Sequence, residues 1–371
     1  MRKLISCIAA MLFVCLLIGC SDAQQMKKDR RYMTTPNISY VKAFPKKISL
    51  TNPMVCNSQL ADVSSCLITG PYIIACTGEK QKAWKIIDLE SGNIVAGIFN
   101  VGNSKEEFLF PPSVTNGSSF YEKNDSLYAD VFDGIKGRML TVNIDESVKK
   151  QSLCLKAEKS GLDNSVFTAM RVADSQYLIR KVSADQKTLG RSVRNLVTGV
   201  SDTLAVFESL NEASLKNGAD INLLSCGIAI AKNGCVVEAP VSLNYINVYK
   251  LDGSIARTVC MGDALDNIDD LAKKKMMERK FVFSDVRVFD DFFGVLMLNE
   301  TWGDYIAHKE IKPSILLFSY NGEPLAEVTL DVTTLLFDID TKRGMLYAVD
   351  GKTGHLVRYD VRKALGFLPI K

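Results

Sequence analysis

Residues 84–99 read WKIIDLESGNIVAGIF and contain two apolar, β-branched segments separated by a polar turn. The segments are Lys85–Leu89 and Ile94–Phe99, and between them lies Glu90-Ser91-Gly92-Asn93. Because Gly tolerates positive φ and Ser and Asn bond to nearby backbone, the stretch predicts two antiparallel strands joined by a tight turn. One such hairpin is not stable alone in water, so the chain must contain several and pack them together.

The hairpin pattern recurs along the chain. Five later stretches resemble it, the last cut short by the C-terminus: Met139–Leu155, Asn195–Phe207, Ile246–Val259, Ile315–Leu330 and His355–Asp360. The six turn centres lie at residues 92, 146, 200, 253, 322 and 361, which gives steps of 54, 54, 53, 69 and 39 residues. Periods of about 40–55 residues built from β-hairpins are typical of propeller blades. The sequence therefore predicts an all-β, six-bladed β-propeller of four-stranded antiparallel blades.

Each outer hairpin is preceded by an inner pair of apolar segments, such as Cys66–Ile68 and Tyr72–Cys76 around Gly70-Pro71. A ring of blades also needs its first and last blades joined. We expect the N-terminal segment Ile38–Leu50 to supply the missing outer strand of the last blade. Two β-sandwich domains are the alternative, since 371 residues are enough for two domains; the regular spacing favours the propeller.

The first twenty residues are typical of an export signal. Arg2 and Lys3 precede the apolar stretch Leu4–Ile18, which is too short for a lasting membrane span. The stretch ends in Leu17-Ile18-Gly19-Cys20, which resembles the lipobox of bacterial lipoproteins and implies cleavage before Cys20 and acylation of its thiol. Several acyl chains, at ~0.8 kcal/mol per buried CH₂, anchor a protein stably. An ordinary signal peptide with a chance cysteine is the alternative.

The segment after the signal is polar and basic. Residues 21–37 are predicted to be a flexible tether and residues 38–371 to be the propeller. We expect the basic residues of this segment to belong to a solvated linker rather than to bind anionic lipid. In enterobacterial lipoproteins an Asp directly after the acylated cysteine retains the protein at the inner membrane. Here Ser21 follows Cys20, so by this resemblance retention at the inner membrane is not predicted. We therefore expect a lipid anchor in the outer membrane, facing either the periplasm or the cell exterior.

Charge and cysteine usage restrict the partners. Without Arg2 and Lys3 the chain carries 43 basic and 42 acidic residues, so no nucleic-acid partner is indicated, and a monomer is expected. Seven of the ten cysteines remain after signal removal and acylation of Cys20, and an odd number implies at least one free thiol. A two-residue turn would place Cys66 opposite Ala75 and not Cys76. No CxxC motif is present, and no metal or other cofactor is expected.

No catalytic motif stands out. The chain has only two histidines, His308 and His355, and it lacks a GxSxG elbow. Asp263–Asp270 lacks EF-hand spacing and is predicted to begin a short helix that ends in the basic stretch Lys273–Arg279. The sequence favours a non-catalytic binding or scaffold propeller. The alternative is a carboxylate- or metal-dependent propeller hydrolase or lyase with its site at the mouth of the central channel.

Propeller geometry predicts where a partner binds. Loops from the second to the third strand of a blade, and from its fourth strand to the next blade, emerge on one face, which we call the long-loop face. Seven long stretches map to it: Thr77–Ala83, Val101–Pro112, Asp130–Arg138, Lys181–Val193, Glu208–Asn222, Gly262–Arg279 and Asn299–Pro313. Long loops on a rigid scaffold usually carry binding residues.

Eight residues of these stretches are candidates for binding: Trp302, Tyr305, His308, Lys309, Arg138, Lys181, Arg191 and Glu107. An exposed indole at Trp302 would suit a sugar ring, and packing over the blade rim is the alternative. The cations Arg138, Lys181 and Arg191 would suit an anionic group, but ordinary solvated loop charges are the favoured interpretation.

The chain resembles the TolB-like six-bladed β-propeller lipoproteins of Bacteroides-type bacteria. The stretches that carry the resemblance are Ala83–Pro111, Lys123–Asp133, Val282–Met297 and Ile315–Asp331. The resemblance implies no particular activity. The anchor, the ring of blades and the lack of a catalytic motif together favour an envelope propeller held by Cys20, with a glycan, peptide or envelope protein as partner. In such relatives a Glu-Phe pair follows the first hairpin, as Glu107-Phe108 does here, although Gly102 is the only glycine in this loop.

Overall fold

A computed structural model gives the fold and describes residues 29–57, 60, 62–307, 311 and 313–368. Within these residues the strands form six separate sheets, two with five strands and four with four. In each sheet four neighbouring strands pair antiparallel. In five sheets these four strands follow one another in the chain, and in the sixth the outer strand comes from the N-terminal segment. The chain is therefore a six-bladed β-propeller, as the repeat predicts.

The strands follow one another in chain order. The N-terminal segment contains β1 (Asn37–Val41), β2 (Lys47–Leu50) and β3 (Met54–Asn57). The strands of each blade are given from the inner strand outward. Blade 1 contains β4 (Ser65–Thr69), β5 (Tyr72–Cys76), β6 (Trp84–Asp88) and β7 (Ile94–Ile98), and blade 2 contains β8 (Ser118–Lys123), β9 (Ser126–Asp133), β10 (Arg138–Asn143) and β11 (Leu155–Ser160). Blade 3 contains β12 (Val166–Ala173), β13 (Gln176–Val182), β14 (Leu189–Asn195) and β15 (Ser201–Asp202).

Blade 4 contains β16 (Cys226–Ile230), β17 (Cys235–Pro240), β18 (Tyr245–Lys250) and β19 (Ala256–Met261). Blade 5 contains β20 (Lys280–Val288), β21 (Phe292–Thr301), β22 (Ser314–Ser319) and β23 (Pro324–Leu330). Blade 6 contains β24 (Phe337–Asp340), β25 (Met345–Val349) and β26 (Leu356–Asp360). The helices of the described chain are short and lie between strands: α1 (Ile144–Lys150), α2 (Glu208–Asn211), α3 (Ile268–Ala272), α4 (Trp302–Ile306), and the 3₁₀ turns Ala205–Phe207, Ile221–Leu224 and Met276–Glu278.

The hairpin at residues 84–99 forms as predicted. β6 pairs antiparallel with β7, and Gly92 in the turn has φ +71°, a conformation that glycine adopts without strain. Hairpins β18–β19 and β22–β23 also match their predictions. Two predicted hairpins differ in detail. Helix α1 connects β10 to β11 where a turn was expected, and β15 has only two residues, after which a 3₁₀ turn replaces the outer strand.

The ring is closed by an N-terminal strand, but a different one from that expected. β3 pairs antiparallel with β26, with Val55 opposite Val357, and becomes the outer strand of blade 6. β1 and β2, which fall in the segment expected to close the ring, instead add parallel fifth strands to blades 4 and 5. Pro45 and Pro53 lack an N–H and interrupt the ladder, so the segment divides into three short strands on three successive blades.

A hydrophobic cluster fills every interface between neighbouring blades. Alternate residues of one strand face opposite neighbours: Ile74 and Cys76 of β5 pack toward blade 2, whereas Ile73 and Ala75 pack toward blade 6. The other four clusters join blades 2 and 3, 3 and 4, 4 and 5, and 5 and 6. Each sheet thus buries both faces against its neighbours, which stabilises a ring of repeats.

The described N-terminus is already packed against the propeller before residue 37, where the tether was predicted to end. Met33 is fully buried between blades 3 and 4, and its N–H donates to the Tyr245 hydroxyl at 3.1 Å. The Thr35 N–H donates to Thr258 Oγ1 at 2.8 Å. Residues 1–28, including the predicted signal and Cys20, lie outside the described residues.

The cysteines behave as small apolar residues. All seven in the described chain have free thiols, and five of them are buried. Cys66 lies opposite Ala75, as the short turn predicts, and Ser65 lies opposite Cys76. Burial raises the pKa of the Cys66 thiol to about 12.

Candidate functional site

Two loops of the long-loop face are shorter than the sequence suggests. β9 and β10 are joined by residues 134–137 only, and β13 and β14 by residues 183–188 only. The predicted loops Asp130–Arg138 and Lys181–Val193 are therefore mostly strand. As a result Arg138, Lys181 and Arg191 project from strands and not from loops.

Arg138 is a buried structural cation. Its guanidinium bonds to Asp133 Oδ2 at 3.0 Å, and both side chains are almost completely buried. Nη2 also donates to the carbonyl oxygen of Glu107 at 3.3 Å, which joins blade 2 to the loop that follows blade 1. The guanidinium is thus occupied within the protein, and an anion would have to displace these contacts.

Arg191 lies still deeper. It forms an ion pair with Glu238 of β17, and neither side chain has any exposed surface. The Tyr249 hydroxyl donates to the same carboxylate at 2.7 Å. Although burial opposes ionisation, the Arg191 charge and the hydrogen bonds hold the pKa of Glu238 low, at about 2. This cluster connects blade 3 to blade 4, and neither charged group offers exposed surface to an external ligand.

Lys181 alone of the three cations is exposed. Its Nζ lies 2.6 Å from Asp163 Oδ2, with about half of each side chain in solvent. The hydrogen bond from Lys181 is the main reason that the pKa of Asp163 falls to about 2. An exposed pair of this kind is the ordinary state of a surface lysine.

The Glu107-Phe108 pair organises the loop of residues 99–117. The Glu107 carboxylate accepts a hydrogen bond from the Ser104 N–H at 3.0 Å, which lowers its pKa. A Cβ on Gly102 would lie only 2.2 Å from Glu107 Oε2, so a side chain at this position would displace the Glu107 carboxylate. Phe108 is buried and packs edge-on against Phe99 at 5.0 Å. The pair therefore shapes the loop from inside.

Trp302 and Tyr305 lie on α4, at the top of the long inner hairpin of blade 5. The indole stacks on Phe281 with ring centroids 4.3 Å apart and planes inclined by 4°, and Tyr305 meets the same Phe281 ring edge-on at 5.4 Å. One face of the indole is therefore covered by protein, as in the rim-packing alternative. His308 and Lys309 lie outside the described residues.

The acidic and basic stretch between blades 4 and 5 forms two short turns of helix where one helix was predicted. Asn267 caps α3, and its side chain accepts a hydrogen bond from the Asp269 N–H. The basic end continues as the 3₁₀ turn Met276–Glu278, which packs against α4. The Trp302 N–H donates to the Arg279 carbonyl oxygen at 3.0 Å, which joins the two segments.

Sequence reasoning missed the exposed apolar side chains of the long-loop face. Phe110 is 66% exposed, and Ile135 in the adjoining loop is 50% exposed. On the other side of the face Met276, Met277 and Ile306 are 57%, 51% and 48% exposed. These five side chains form what we call the apolar rim, in two groups on blades 1–2 and 4–5. Clustered apolar exposure of this kind marks interaction surfaces.

The buried carboxylates of the inner strands act as links between blades. Asp285 of β20 accepts from the Phe337 N–H at 3.1 Å, and Asp338 of β24 accepts from the Ile68 N–H at 2.7 Å. Arg287 lies between these carboxylates and donates to the Cys66 carbonyl oxygen at 2.7 Å. Blades 5, 6 and 1 are thus connected. No group of three or more metal-ligating side chains occurs in the described chain.

Of the four arginines that are buried in the described chain (Arg138, Arg180, Arg191 and Arg287), Arg180 alone forms no ion pair there. It is fully buried, and Nη2 donates to Thr168 Oγ1 at 2.9 Å and to the Cys226 carbonyl oxygen at 3.0 Å. Its Nε and Nη1 have no acceptor within the described part of the chain. Its charge is balanced only at longer range by Glu238, whose pKa it helps to lower.

The fold defines a class, the six-bladed β-propellers. No protein-family model and no curated protein matches the chain. A DUF4221-family member from Bacteroides vulgatus has a similar structure, with a TM-score of 0.52 and 12% identity over 83% of this chain and 95% of that chain. A Bacteroides fragilis protein named as exported has a TM-score of 0.48 and 11% identity, over 85% and 99% of the two chains. At such identities the likeness shows the fold alone. No helix within the described residues is long and apolar enough to cross a bilayer.

Proposed function

We propose that this chain is a lipid-anchored protein of the bacterial cell envelope, related to the TolB-like propeller lipoproteins, whose propeller is a non-catalytic binding module. The lipobox ending at Cys20 supports the anchor and an outer-membrane location. The long-loop face is the binding surface, and a partner reached through it lies in the same envelope.

The exposure of the apolar rim carries this proposal. Five large apolar side chains of the long-loop face are each 48% exposed or more, while every interface between blades is filled. Arg138 and Arg191, two of the cations predicted to receive an anionic group, form buried ion pairs that stabilise the scaffold under this face. They do not contact a partner themselves. Binding by this face relies on apolar contact.

A paired capture experiment tests the proposal. The full acylated chain carrying Phe110→Ser, Met277→Ser and Ile306→Ser is compared with wild type for partners recovered from cross-linked envelope. The matched control carries Val197→Ser and Val200→Ser, which are 71% and 57% exposed in the turn of blade 3 on the opposite face. We expect a partner to be lost from the first variant and kept by the control. Equal recovery by all three proteins would contradict the proposal.

A further inference from the structure

The described N-terminus joins the propeller at the long-loop face. The Arg30 carbonyl oxygen accepts from the Ser214 N–H at 3.0 Å, and the Arg31 carbonyl oxygen accepts from the Ile268 N–H at 3.0 Å. Ser214 and Ile268 belong to the loops that follow blades 3 and 4. Tyr32 lies beside α3 in a groove of about 230 Å³. The chain therefore approaches the propeller from the side of the long loops.

The distance from this point to the predicted anchor is short. Eight residues separate Cys20 from Asp29. Nine Cα-to-Cα steps reach at most about 32 Å. A strand of nine residues, such as β20, is about 30 Å long. An anchor at Cys20 thus reaches a bilayer beside the long-loop face easily, whereas the opposite face would require nearly full extension along a blade.

The apolar rim lies on the same long-loop face at which the N-terminal segment joins the propeller. Phe110 and Ile135 lie on one side of the face, and Met276, Met277 and Ile306 lie on the other. Two apolar groups on opposite sides of a face can touch one flat surface together. The opposite face carries Val197 and Val200 in a single turn of blade 3, and Ile94 and Leu155 at the starts of β7 and β11. Ile94 and Leu155 are 37% and 45% exposed, less than any side chain of the apolar rim.

The charges of the long-loop face do not form a field of one sign. Lys216 pairs with Asp269 at 2.8 Å, Lys273 with Asp270 at 2.7 Å, and Arg279 with Asp220 at 3.0 Å. Neutralised pairs give little attraction to anionic headgroups, since such attraction needs a cluster of unopposed basic residues. A membrane contact made by this face is therefore apolar in character and insensitive to salt.

We propose that the long-loop face is turned toward the bilayer and that the apolar rim contacts the bilayer surface. The inference rests on the proposed function, which supplies the acyl anchor at Cys20. Amphipathic surfaces bind a bilayer by placing their apolar side chains at the boundary between headgroups and acyl chains. Partners reached through this face are then molecules embedded in, or lying on, the same membrane.

Tryptophan quenching by brominated lipids tests the orientation. The acylated chain carrying Trp302→Phe is reconstituted into phosphatidylcholine vesicles with brominated acyl chains. Single tryptophans are introduced by Phe110→Trp on the long-loop face, by Val200→Trp on the opposite face and by Tyr40→Trp on the outer edge of blade 4. Trp84 stays in every variant because it is fully buried and gives a constant background.

We expect emission from Phe110→Trp to be quenched severalfold more than that from Val200→Trp or Tyr40→Trp, and equally in low salt and 1 M NaCl. Stronger quenching of Val200→Trp or Tyr40→Trp, no quenching of Phe110→Trp, or its loss in high salt would overturn the inference. The mass of the purified chain is measured first. A missing acyl group refutes the proposed anchor, whereas an acylated chain with unquenched Phe110→Trp refutes only the orientation and leaves the proposed binding function standing.

Discussion

Arg191 of β14 and Glu238 of β17 form a completely buried ion pair that joins blade 3 to blade 4, with Nε 2.9 Å from Oε1. The pair is surrounded by the largest of the hydrophobic clusters between blades, which includes Met33 and Tyr249. In such surroundings each charge depends on the other, because water cannot solvate either one.

Removing one partner should therefore be costly. Arg191→Met leaves Glu238 buried without its cation, and we expect the free energy of unfolding to fall by about 3–5 kcal/mol. Glu238→Gln is the milder variant and should act in the same direction. Guanidinium denaturation followed by circular dichroism measures both. Lys181→Met is the matched control, because the exposed pair with Asp163 contributes at most about 1 kcal/mol. Equal effects at positions 181 and 191 would contradict the assignment.

The carboxyl of Asp285 should make stability depend on pH. Burial raises its pKa to about 6, whereas the ordinary value is 3.8. Between these values the folded chain holds a proton that the unfolded chain releases, so this group stabilises the fold at low pH and its contribution is lost as pH rises toward 6.

The measurement compares wild type with Asp285→Asn by chemical denaturation from pH 4 to pH 7. The stability of wild type relative to the variant should decrease across this window. Asp163→Asn is a control of opposite sign, because the pKa of Asp163 is lowered to about 2 and its stabilisation is lost only in stronger acid. A wild-type advantage that grows with rising pH would show that Asp285 is not the titrating group.

The strand β3 should be more important for stability than its neighbour β2. Replacing Met54–Asn57 by Gly-Ser-Gly-Ser removes the outer strand of blade 6 and opens the ring, since glycine and serine disfavour strands. The same replacement of Lys47–Leu50 removes only a fifth strand from blade 5. Differential scanning calorimetry should show the larger fall in Tm for the first variant. A larger fall for the second would mean that closure occurs elsewhere.

The buried thiols should be inert in the folded protein. Burial raises the pKa of Cys66 to about 12 and that of Cys226 to about 11, so neither forms a thiolate at neutral pH. Maleimide labelling followed by mass spectrometry should find both unmodified until denaturant is added. Labelling of either thiol in the native protein would contradict its place between blades.

The blade repeat could be predicted from the sequence because hairpins are local. The Gly92 turn and its flanking strands lie within sixteen residues, and their chemistry is visible without the rest of the chain. The closing strand was assigned wrongly because three short strands in residues 37–57 are similar. Which of them closes the ring depends on the vacant edge of blade 6, a property of the assembled fold.

The candidate site was harder to predict for the same reason. The partner of Arg191 lies 47 residues away in another blade, so its sequence surroundings suggested a solvated loop charge. The sequence gives no signal for the exposure of Phe110, which lies two residues from the buried Phe108. Only the packing of Phe108 inside the loop leaves Phe110 outside. Exposure and burial of single residues depend on tertiary contacts that spacing does not encode.

The anchor at Cys20 is the central claim, and the mass of the mature N-terminal peptide tests it most directly. The protein is purified from the envelope of the bacterium that makes it and digested, and the N-terminal peptide is analysed by mass spectrometry. The account predicts a peptide that begins at Cys20 and carries the added mass of a diacylglyceryl group. A peptide that begins after residue 20, or an unmodified Cys20, would contradict it.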